Sequence, residues 1–504
     1  MEMFDDNNII FIIALSIGFI AISISAFLHF KCKYKISLFI LILGGLLLRL
    51  TISSDAYLHP HDEKYHALVA KNMVTHPFTP TLYEKPVHEV DYRNWAANHI
   101  WLHKQPVPLW TMALSISIFG TNEFAVRLPS ILLSSLGIWV LYQISLFFFN
   151  SKNQRTIAWL SAFLFAINGL ILELTGGRIA TDHYDVFFMI FILIAIYFTI
   201  KFVQTEKPIY NIITGFFIGL AVLTKWLPAF IVIALWLILI YDTQKFKFKT
   251  IVLNLILLFS VTLIVFLPWQ IYIFTAFPTE AAYTSSFNLR HLTEVLDEQT
   301  GAIYYYLLRM GTNYGELIYL PLVFLMVYIL KNYRDYKKLS LAVWIFIPLI
   351  FFSVAKTKMQ AYILFIAPAL FMITAWFWSS IKDVKMKGFN KYIKYLVLGL
   401  VIILPLRYSI ERIKPFSDID RKPIWVSNLK SIDKTGIPEK SVLFNFPYPI
   451  EAMFYTDFTA YSLLPSLIEL EKFYADEYNV FIHLKDNVPP EILNNSKFKC
   501  IKIE

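Results

Sequence analysis

Twelve long apolar runs constrain the fold of this 504-residue chain more than any other feature. They lie near residues 9–30, 36–53, 128–149, 156–173, 186–203, 209–224, 227–241, 250–267, 316–330, 339–355, 361–379 and 392–410. A helix needs about 20 apolar residues to cross the hydrocarbon core of a bilayer. Only 16% of the residues are charged, against about 25% in soluble domains. The sequence therefore predicts an α-helical polytopic membrane protein with about twelve transmembrane helices.

The distribution of lysine and arginine predicts the orientation. Six alternate short loops carry 19 basic residues: 31–35, 150–155, 201–208, 241–249, 331–338 and 380–394. The short loops on the other side carry only Arg178, Lys225, Lys356 and Lys358. Because basic loops stay in the cytoplasm, we expect a multi-pass protein of the plasma (inner) membrane. Both termini and two long loops, 54–127 and 268–315, then lie outside. The net charge of +9 follows from these loops and does not indicate nucleic-acid binding.

The last ninety residues differ from the transmembrane domain, 1–410. Here the apolar runs have the length of strands: 441–446, 459–464, 479–484 and 498–503. Helix-like stretches separate them, and this alternation predicts a small extracytoplasmic α/β domain over 415–504, with a partly parallel sheet. The segment 415–504 contains no glycine-rich phosphate loop, so we interpret this domain as a packing or acceptor-docking module.

The first outer loop combines acidic and basic residues in a way that can serve chemistry. Asp62 and Glu63 head a helical stretch in which Asp62, Tyr65 and His66 share one face. Lys104 follows in a proline-rich segment. Acidic residues also stabilise helix starts, and an interfacial lysine can simply reach the lipid headgroups. The combination of an acid pair and a positioned cation favours a site.

More charged residues lie on the same outer side. They are Arg178 and Asp182 in the hairpin 176–188, Lys225, Arg290 in the second long loop, and Lys356 and Lys358, followed by Tyr362. Arg178 and Asp182 are one helical turn apart and could pair with each other. Charges at a membrane edge nevertheless tend to mark function. Basic residues on the side that is normally depleted of them indicate a bound anion, and phosphate is the simplest.

The order and spacing of these motifs resemble the GT-C glycosyltransferases that use polyprenyl-phosphate sugars, namely the protein O-mannosyltransferase (GT39) and aminoarabinose-transferase (ArnT-like) superfamily. The matching positions are Asp62, Glu63 and Tyr65; His103, Lys104, Pro106, Pro108 and Leu109; the stretch 119–130; Arg178, Thr181 and Asp182; Leu223, Thr224 and Lys225; Lys356, Lys358 and Tyr362; and, with altered spacing, Asn288 and Arg290. The resemblance covers about residues 36–380. Gln105 and Trp226 depart from it, as does an insertion at 84–100. These departures concern the donor sugar and the acceptor more than the reaction.

The resemblance implies a GT-C fold with juxtamembrane helices in the first outer loop and an inverting transfer. A polyprenyl-phosphate donor would give its sugar to an extracytoplasmic acceptor (lipid, protein or envelope glycan) among the membrane lipids. Asp62, with Glu63, would be catalytic, and Lys104, Arg290, Lys358 and Tyr362 would hold the leaving phosphate. The other expected substrate contacts are Tyr65, His103, Arg178, Asp182, Lys225 and Lys356.

Two questions stay open at this level. The histidines and carboxylates of the first loop could bind a divalent metal, but chance spacing explains them equally well, and no cofactor is required. A transporter or lipid flippase also buries charge, although such proteins commonly show inverted repeats. A glycan polymerase or ligase would use the same loops.

Overall fold

The computed structural model describes residues 6–432, 437–485 and 488–503. The helices that precede the C-terminal sheet domain are α1 (Asp6–Phe30), α2 (Tyr34–Ile52), α3 (Asp62–Met73), α4 (Pro106–Phe119), α5 (Glu123–Phe148), α6 (Gln154–Ile167), α7 (Gly169–Thr175), α8 (Asp182–Thr205), α9 (Pro208–Lys225), α10 (Ile231–Thr243), α11 (Phe248–Ala276), α12 (Pro278–Thr293), α13 (Tyr305–Tyr314), α14 (Tyr319–Lys331), α15 (Tyr336–Val354), α16 (Ala367–Asp383) and α17 (Phe389–Ile413). Short 3₁₀ turns at Leu227–Phe230, Glu316–Ile318 and Leu364–Ile366 lead into α10, α14 and α16.

All twelve predicted runs lie in helices, which confirms a polytopic helical fold. Within the described ranges, nine helices are long and apolar enough to cross a membrane, or eleven if two bent pairs each count as one span. One pair, α6 with α7, bends by 51°, and the other, α13 with Glu316–Lys331, bends by 119°. The predicted count of about twelve is reached only by adding Leu227–Thr243, which is apolar but shorter.

The loops rich in lysine and arginine gather at one end of the helix bundle. Lys152 lies 3.8 Å from Asp383, joining the second and sixth of these loops. Lys337 donates to the carbonyl of Phe147 at 3.1 Å, and Lys245 lies 3.8 Å from Glu206. This common end is the arrangement that the alternating loops predict.

The first outer loop and the C-terminal domain share the opposite end. The domain contains β1 (Ser441–Phe444), β2 (Thr459–Ala460), β3 (Asn479–His483) and β4 (Lys499–Ile501), and the helices α18 (Ile424–Ser431), α19 (Pro449–Tyr455), α20 (Leu467–Ala475) and α21 (Pro490–Leu493). The strand order is β2-β1-β3-β4, and all three strand pairs are parallel. The predicted α/β domain is therefore present, with a sheet that is parallel throughout its described strands.

The C-terminal domain docks on α3 through α19. Lys71 of α3 donates to the carbonyls of Met453 and Thr456 at 2.7 and 2.8 Å, at the C-terminal end of α19. An ammonium group is favourable there because the end of a helix carries partial negative charge. Lys64 lies 3.2 Å from Glu451 in the first turn of α19. The domain thus supports the helix that begins with Asp62.

The two native cysteines allow a direct test of orientation. Cys32 is exposed in the loop between α1 and α2, and Cys500 lies on β4 at the other end of the molecule. In one variant, Cys32 and Cys500 are both changed to serine, and Ser496→Cys supplies the single cysteine close to β4. We expect a membrane-impermeant maleimide applied to intact cells to label this variant. The converse variant, which keeps only Cys32, should react only after the membrane is opened. Labelling of Cys32 in intact cells would reverse the orientation.

Candidate active site

Asp62 and Glu63 are adjacent in sequence but lie in different surroundings. Asp62 begins α3, and its carboxylate accepts the Thr181 backbone N–H at 3.0 Å. The same oxygen, Oδ2, lies 3.5 Å from the Lys104 ammonium. Both side chains keep some contact with solvent, 16% for Asp62 and 23% for Lys104. The first loop therefore brings together the acid and the cation that the sequence singles out.

The surroundings of Asp62 favour its ionised form. Burial alone would raise the pKa of this carboxyl group, because charge is less stable away from water. Lys104, His66 and the Thr181 N–H outweigh that effect, so that the pKa of Asp62 lies below its usual range. Asp62 is therefore a carboxylate near neutral pH, able to accept a proton.

A second acid–base pair lies beside the first. Asp185, one turn into α8, pairs with Lys225 at the end of α9. The Lys225 ammonium also lies 4.5 Å from the centre of the Tyr362 ring. Burial raises the pKa of the Tyr362 hydroxyl, and the nearby carboxylates of Asp185 and Asp62 raise it further. These two carboxylates, two lysines and one tyrosine form one cluster, which we call the Asp62 cluster.

Sequence reasoning overlooked Asp185. It named Asp182, although both residues lie in Thr-Asp-His-Tyr-Asp and share a helical face by i, i+3 spacing. In the structure Asp182 is completely buried and binds His66 Nδ1 at 2.9 and 3.0 Å. The sequence could have indicated Asp185, because Asp185 shares a helical face with Asp182 and a lysine, Lys225, follows in the next hairpin.

Glu63 points away from the Asp62 cluster and has no solvent exposure. Its oxygens accept from Arg127 Nε at 2.6 Å and from Arg127 Nη2 at 2.9 Å. The backbone N–H and the Nδ1 atom of His59 each lie 2.7 Å from Oε2. With these partners, Glu63 has no free position for a substrate. The structure thus separates Glu63 from Asp62, whereas the sequence grouped them as a catalytic pair.

Arg178 does not pair with Asp182, the salt bridge that their spacing allows. Its guanidinium lies 2.8 Å from Asp55, and it donates to the Ile413 carbonyl at 3.2 Å. The turn that follows holds Thr181 at φ 67° and Asp182 at φ 27°. Left-handed backbone at a residue other than glycine is strained and often marks a functional site. This turn directs the Thr181 N–H at Asp62 and the Asp182 carboxylate at His66.

Three predicted substrate contacts, of which Lys358 and Arg290 were expected to hold the phosphate, have their partners outside the Asp62 cluster. Lys358 is buried and donates to the carbonyls of Phe352, Ser353 and Ala355, so it caps the end of α15. Lys356 is exposed. Arg290 is 42% exposed and binds Glu294 one turn along α12, at 2.8 Å. The structure therefore does not gather these three residues around Asp62.

Aromatic rings border the Asp62 cluster on the side of the insertion 84–100. The His103 ring stacks on Trp95, with centres 4.7 Å apart and planes within 10°. Tyr65 meets the same tryptophan edge-on at 5.0 Å. Burial lowers the pKa of His103, and Lys104 lowers it further, so the imidazole is neutral. His103 and Tyr65 thus form an uncharged wall beside Asp62.

A metal centre is not evident. Among the residues that the structure describes, no group of three or more His, Cys, Asp or Glu side chains is arranged to hold a metal ion.

Substitution of Gly177 by alanine tests whether Glu63 packs against the turn before α8. This glycine has φ +72°, and a Cβ atom there would collide with the Glu63 carboxylate. Gly388, at φ +59°, has no atom within 4 Å of such a Cβ. Gly388→Ala should therefore cost only the backbone strain, about 1–2 kcal/mol. Gly177→Ala should cost about 1–3 kcal/mol more, measured by thermal unfolding in detergent. Equal losses would contradict the placement of Glu63.

Comparisons with known proteins agree with this architecture. A family model described as dolichyl-phosphate-mannose-protein mannosyltransferase matches residues 103–272. An uncharacterised protein of Aquifex aeolicus is 26% identical over 352 residues, covering 68% of this chain and 64% of the relative. An undecaprenyl phosphate-alpha-4-amino-4-deoxy-L-arabinose arabinosyl transferase of Pseudomonas fluorescens is 23% identical over 330 residues, covering 62% of this chain and 58% of the relative. The chain thus spans less than two thirds of these relatives.

Solved structures share the fold. ArnT from Cupriavidus metallidurans superposes with a TM-score of 0.59 at 15% identity, over 86% of this chain and 87% of ArnT. The archaeal oligosaccharyltransferase AglB from Archaeoglobus fulgidus gives 0.57 at 13% identity, over 84% of this chain and 64% of AglB. These matches show that the chain shares the fold of ArnT and AglB, and that residues 103–272 resemble the dolichyl-phosphate-mannose-protein mannosyltransferase family.

Proposed function

We propose that this protein transfers a sugar from a polyprenyl-phosphate donor to an acceptor outside the cytoplasm, by an inverting displacement. The observation that carries the proposal is the ionised Asp62 beside Lys104, at the end of the bundle opposite the basic loops. The matched ArnT structure holds undecaprenyl phosphate, and the matched AglB structure holds a dolichol phosphate. Both support a lipid-phosphate donor for this chain. The division between the two domains falls after α17, with the C-terminal domain outside.

The reaction needs a base for the attacking hydroxyl group and cations for the departing phosphate. An acceptor hydroxyl attacks the anomeric carbon and forms the new C–O bond, while the bond from that carbon to the phosphate oxygen breaks. Asp62 accepts the hydroxyl proton. The phosphate leaves with the electron pair, and its growing charge is stabilised by Lys104 and Lys225. Tyr362, which remains protonated, can donate a hydrogen bond to the same oxygens.

The remaining predicted residues take supporting or peripheral roles in this proposal. Glu63, Asp182 and Arg178 position the elements that carry Asp62. Lys358 holds the loop before Tyr362 through its bonds to the end of α15, and the Lys356 backbone N–H donates to the Leu292 carbonyl at 3.2 Å. Arg290 lines a groove of about 600 Å³ with Phe274, Leu289 and Leu292. The apolar side chains of this groove suit a lipid tail, so we assign the groove to the tail of the donor, with its phosphate at the Asp62 cluster.

Asp62→Asn tests the base. The amide keeps the shape but cannot accept the proton, so transfer should fall by about 10²–10⁴-fold, measured as sugar transfer and polyprenyl-phosphate release in proteoliposomes. Asp91→Asn, in an exposed part of the same loop, is the control and should keep full activity. Undiminished transfer by Asp62→Asn would remove the catalytic role. Lipid or sugar translocation without transfer would favour a transporter or flippase.

Lys104→Met tests the electrostatic coupling. Lys104 is the largest of the influences that lower the pKa of Asp62, so its removal should raise that pKa. Because Asp62 works only when deprotonated, the acid limb of the kcat/KM profile should move to higher pH. The maximal rate should also fall, by about 10²–10³-fold if one phosphate contact is lost. Lys85→Met, an exposed lysine of the same loop, should leave the profile unchanged. An acid limb that stays in place would contradict the pairing.

A further inference from the structure

His66 is a buried titratable residue to which the reaction proposed above gives no role. It lies on α3, one helical turn after Asp62, and it has no solvent exposure. Its Nδ1 atom lies 3.0 and 2.9 Å from the two carboxylate oxygens of Asp182, which is completely buried as well. A carboxylate can only accept hydrogen bonds, so Nδ1 carries a proton and donates it to Asp182. The two residues form a polar pair that is closed to water.

The surroundings of the His66 ring are otherwise apolar. Its second nitrogen, Nε2, is buried and has no hydrogen-bond partner among the described residues. The ring of Tyr184 lies 4.6 Å away and that of Trp101 5.7 Å away, measured between ring centres. A buried polar group without a partner is costly, and apolar residues of similar size can often replace a buried polar pair without loss of stability. The stability of the fold therefore does not account for this pair.

Two residues of α3 hold two adjacent residues of the turn before α8. The Thr181 N–H donates to Asp62 at 3.0 Å, and the carboxylate of the next residue, Asp182, accepts from His66. Asp62 and His66 are four residues apart and so share one face of the helix. The turn is thereby fixed to α3 at two points, and one of these points is the proposed base.

This turn has a backbone conformation that needs such support. Thr181 has φ 67° and Asp182 has φ 27°. Left-handed backbone is unfavourable for residues other than glycine, and a β-branched residue such as threonine is a particular outlier there. Strain of this kind persists only where the surrounding contacts impose the conformation. The bond from His66 to the Asp182 carboxylate is such a contact.

The conformation of the turn matters for the charge and the direction of Asp62. The Thr181 N–H is one of the groups that lower the pKa of Asp62, because a hydrogen bond to the carboxylate favours its ionised form. The oxygen that accepts this bond, Oδ2, also faces the Lys104 ammonium at 3.5 Å. A relaxed turn would withdraw the N–H and leave the carboxylate free to rotate away from Lys104.

We propose that His66 is a positioning residue for the transfer: its bond to Asp182 holds the strained turn, and the turn holds the Thr181 N–H against Asp62. His66 is completely buried and acts through these neighbours, without touching the substrate. This inference rests on the proposed function, in which Asp62 is the base. We call the two contacts, Asp62 with Thr181 and His66 with Asp182, the α3 clamp.

Other titratable groups also lie around Asp62 and His66. They are Tyr65, His103, Lys104, Asp182, Tyr184, Asp185, Lys225 and Tyr362. A substitution of His66 alone leaves all of them in the chain, so a change in the pH profile can be attributed to position 66.

Hydrogen exchange tests the α3 clamp without a substrate. The full chain is placed in nanodiscs, and mass spectrometry with fragmentation follows the Thr181 amide. His66→Leu removes the donor to Asp182, so this amide should exchange about tenfold faster. His66→Asn keeps an N–H donor close to the position of Nδ1 and should retain slow exchange. His99→Leu is the control, because it removes a contact between Nδ1 and the Tyr83 carbonyl in the same loop and should leave the Thr181 amide unchanged.

The transfer assay tests the consequence for Asp62. His66→Leu should lower kcat about 10²-fold, because a misplaced catalytic group loses rate, and should leave the donor KM unchanged. The acid limb of the kcat/KM profile should move to higher pH, because loss of the Thr181 N–H raises the pKa of Asp62. His66→Asn should restore most of kcat and the wild-type acid limb.

A second variant guards against a loss of folding. His66→Leu leaves the Asp182 carboxylate without its partner in the interior, which destabilises the fold. His66→Leu/Asp182→Asn removes that charge, and asparagine tolerates left-handed backbone. This variant should remain folded in thermal unfolding and should still show the lower kcat and the shifted acid limb.

The outcomes separate this inference from the proposed function. Equal exchange of the Thr181 amide in the wild-type chain and in His66→Leu would refute the α3 clamp, even if transfer depends on Asp62. A folded variant without His66 that keeps full kcat and the wild-type acid limb would also overturn the inference, as would a folded His66→Asn that behaves like His66→Leu. Absence of transfer by the wild-type chain would refute the proposed function, whereas the exchange experiment would still decide the clamp.

Discussion

The position of the Asp62 carboxylate depends on a buried ion pair, Glu63 with Arg127. Neither side chain is exposed to solvent, and burial of two charges is stable only when their remaining hydrogen-bonding groups are also satisfied. Arg127 meets this condition by donating to the carbonyls of Ser53, Asp55 and Tyr57 at 3.0, 2.5 and 2.6 Å. The pair thereby fixes the chain between α2 and α3 against α5. Because Asp62 immediately precedes Glu63, its direction is fixed as well.

The charges of the Asp62 cluster are balanced before any substrate arrives. Asp62 faces Lys104, and Asp185 faces Lys225, so that both lysines of the Asp62 cluster have a carboxylate partner. Such alternation limits the cost of keeping charged groups near a membrane. A phosphate that binds both lysines would weaken their hold on the two carboxylates. Binding of the donor and readiness of the base would then be linked by the same two ion pairs.

The fold could be predicted from the sequence because membrane insertion depends on local properties. Apolar runs and alternating basic loops lie within short windows, and most of every predicted run is helical, although the run 156–173 is divided between α6 and α7. The partners of the charged residues could not be predicted in this way. Arg178 binds Asp55, about 120 positions earlier, rather than Asp182, and Lys358 caps a helix whose end the sequence did not define. The proximity of Asp62 and Lys104 could be predicted, because both residues belong to one loop.

The Asp62 cluster and the insertion 84–100 are held by different parts of the chain. Asp62 and Asp185 come from the first turns of α3 and α8 and Lys225 from the last turn of α9, whereas Lys104 and Tyr362 lie in the loops before α4 and α16. The insertion 84–100 instead packs on α12 and on the C-terminal domain, through Tyr283 and Tyr461. Changes in the insertion can therefore alter the surface between α12 and the C-terminal domain while α3, α8 and α9 keep their places in the bundle.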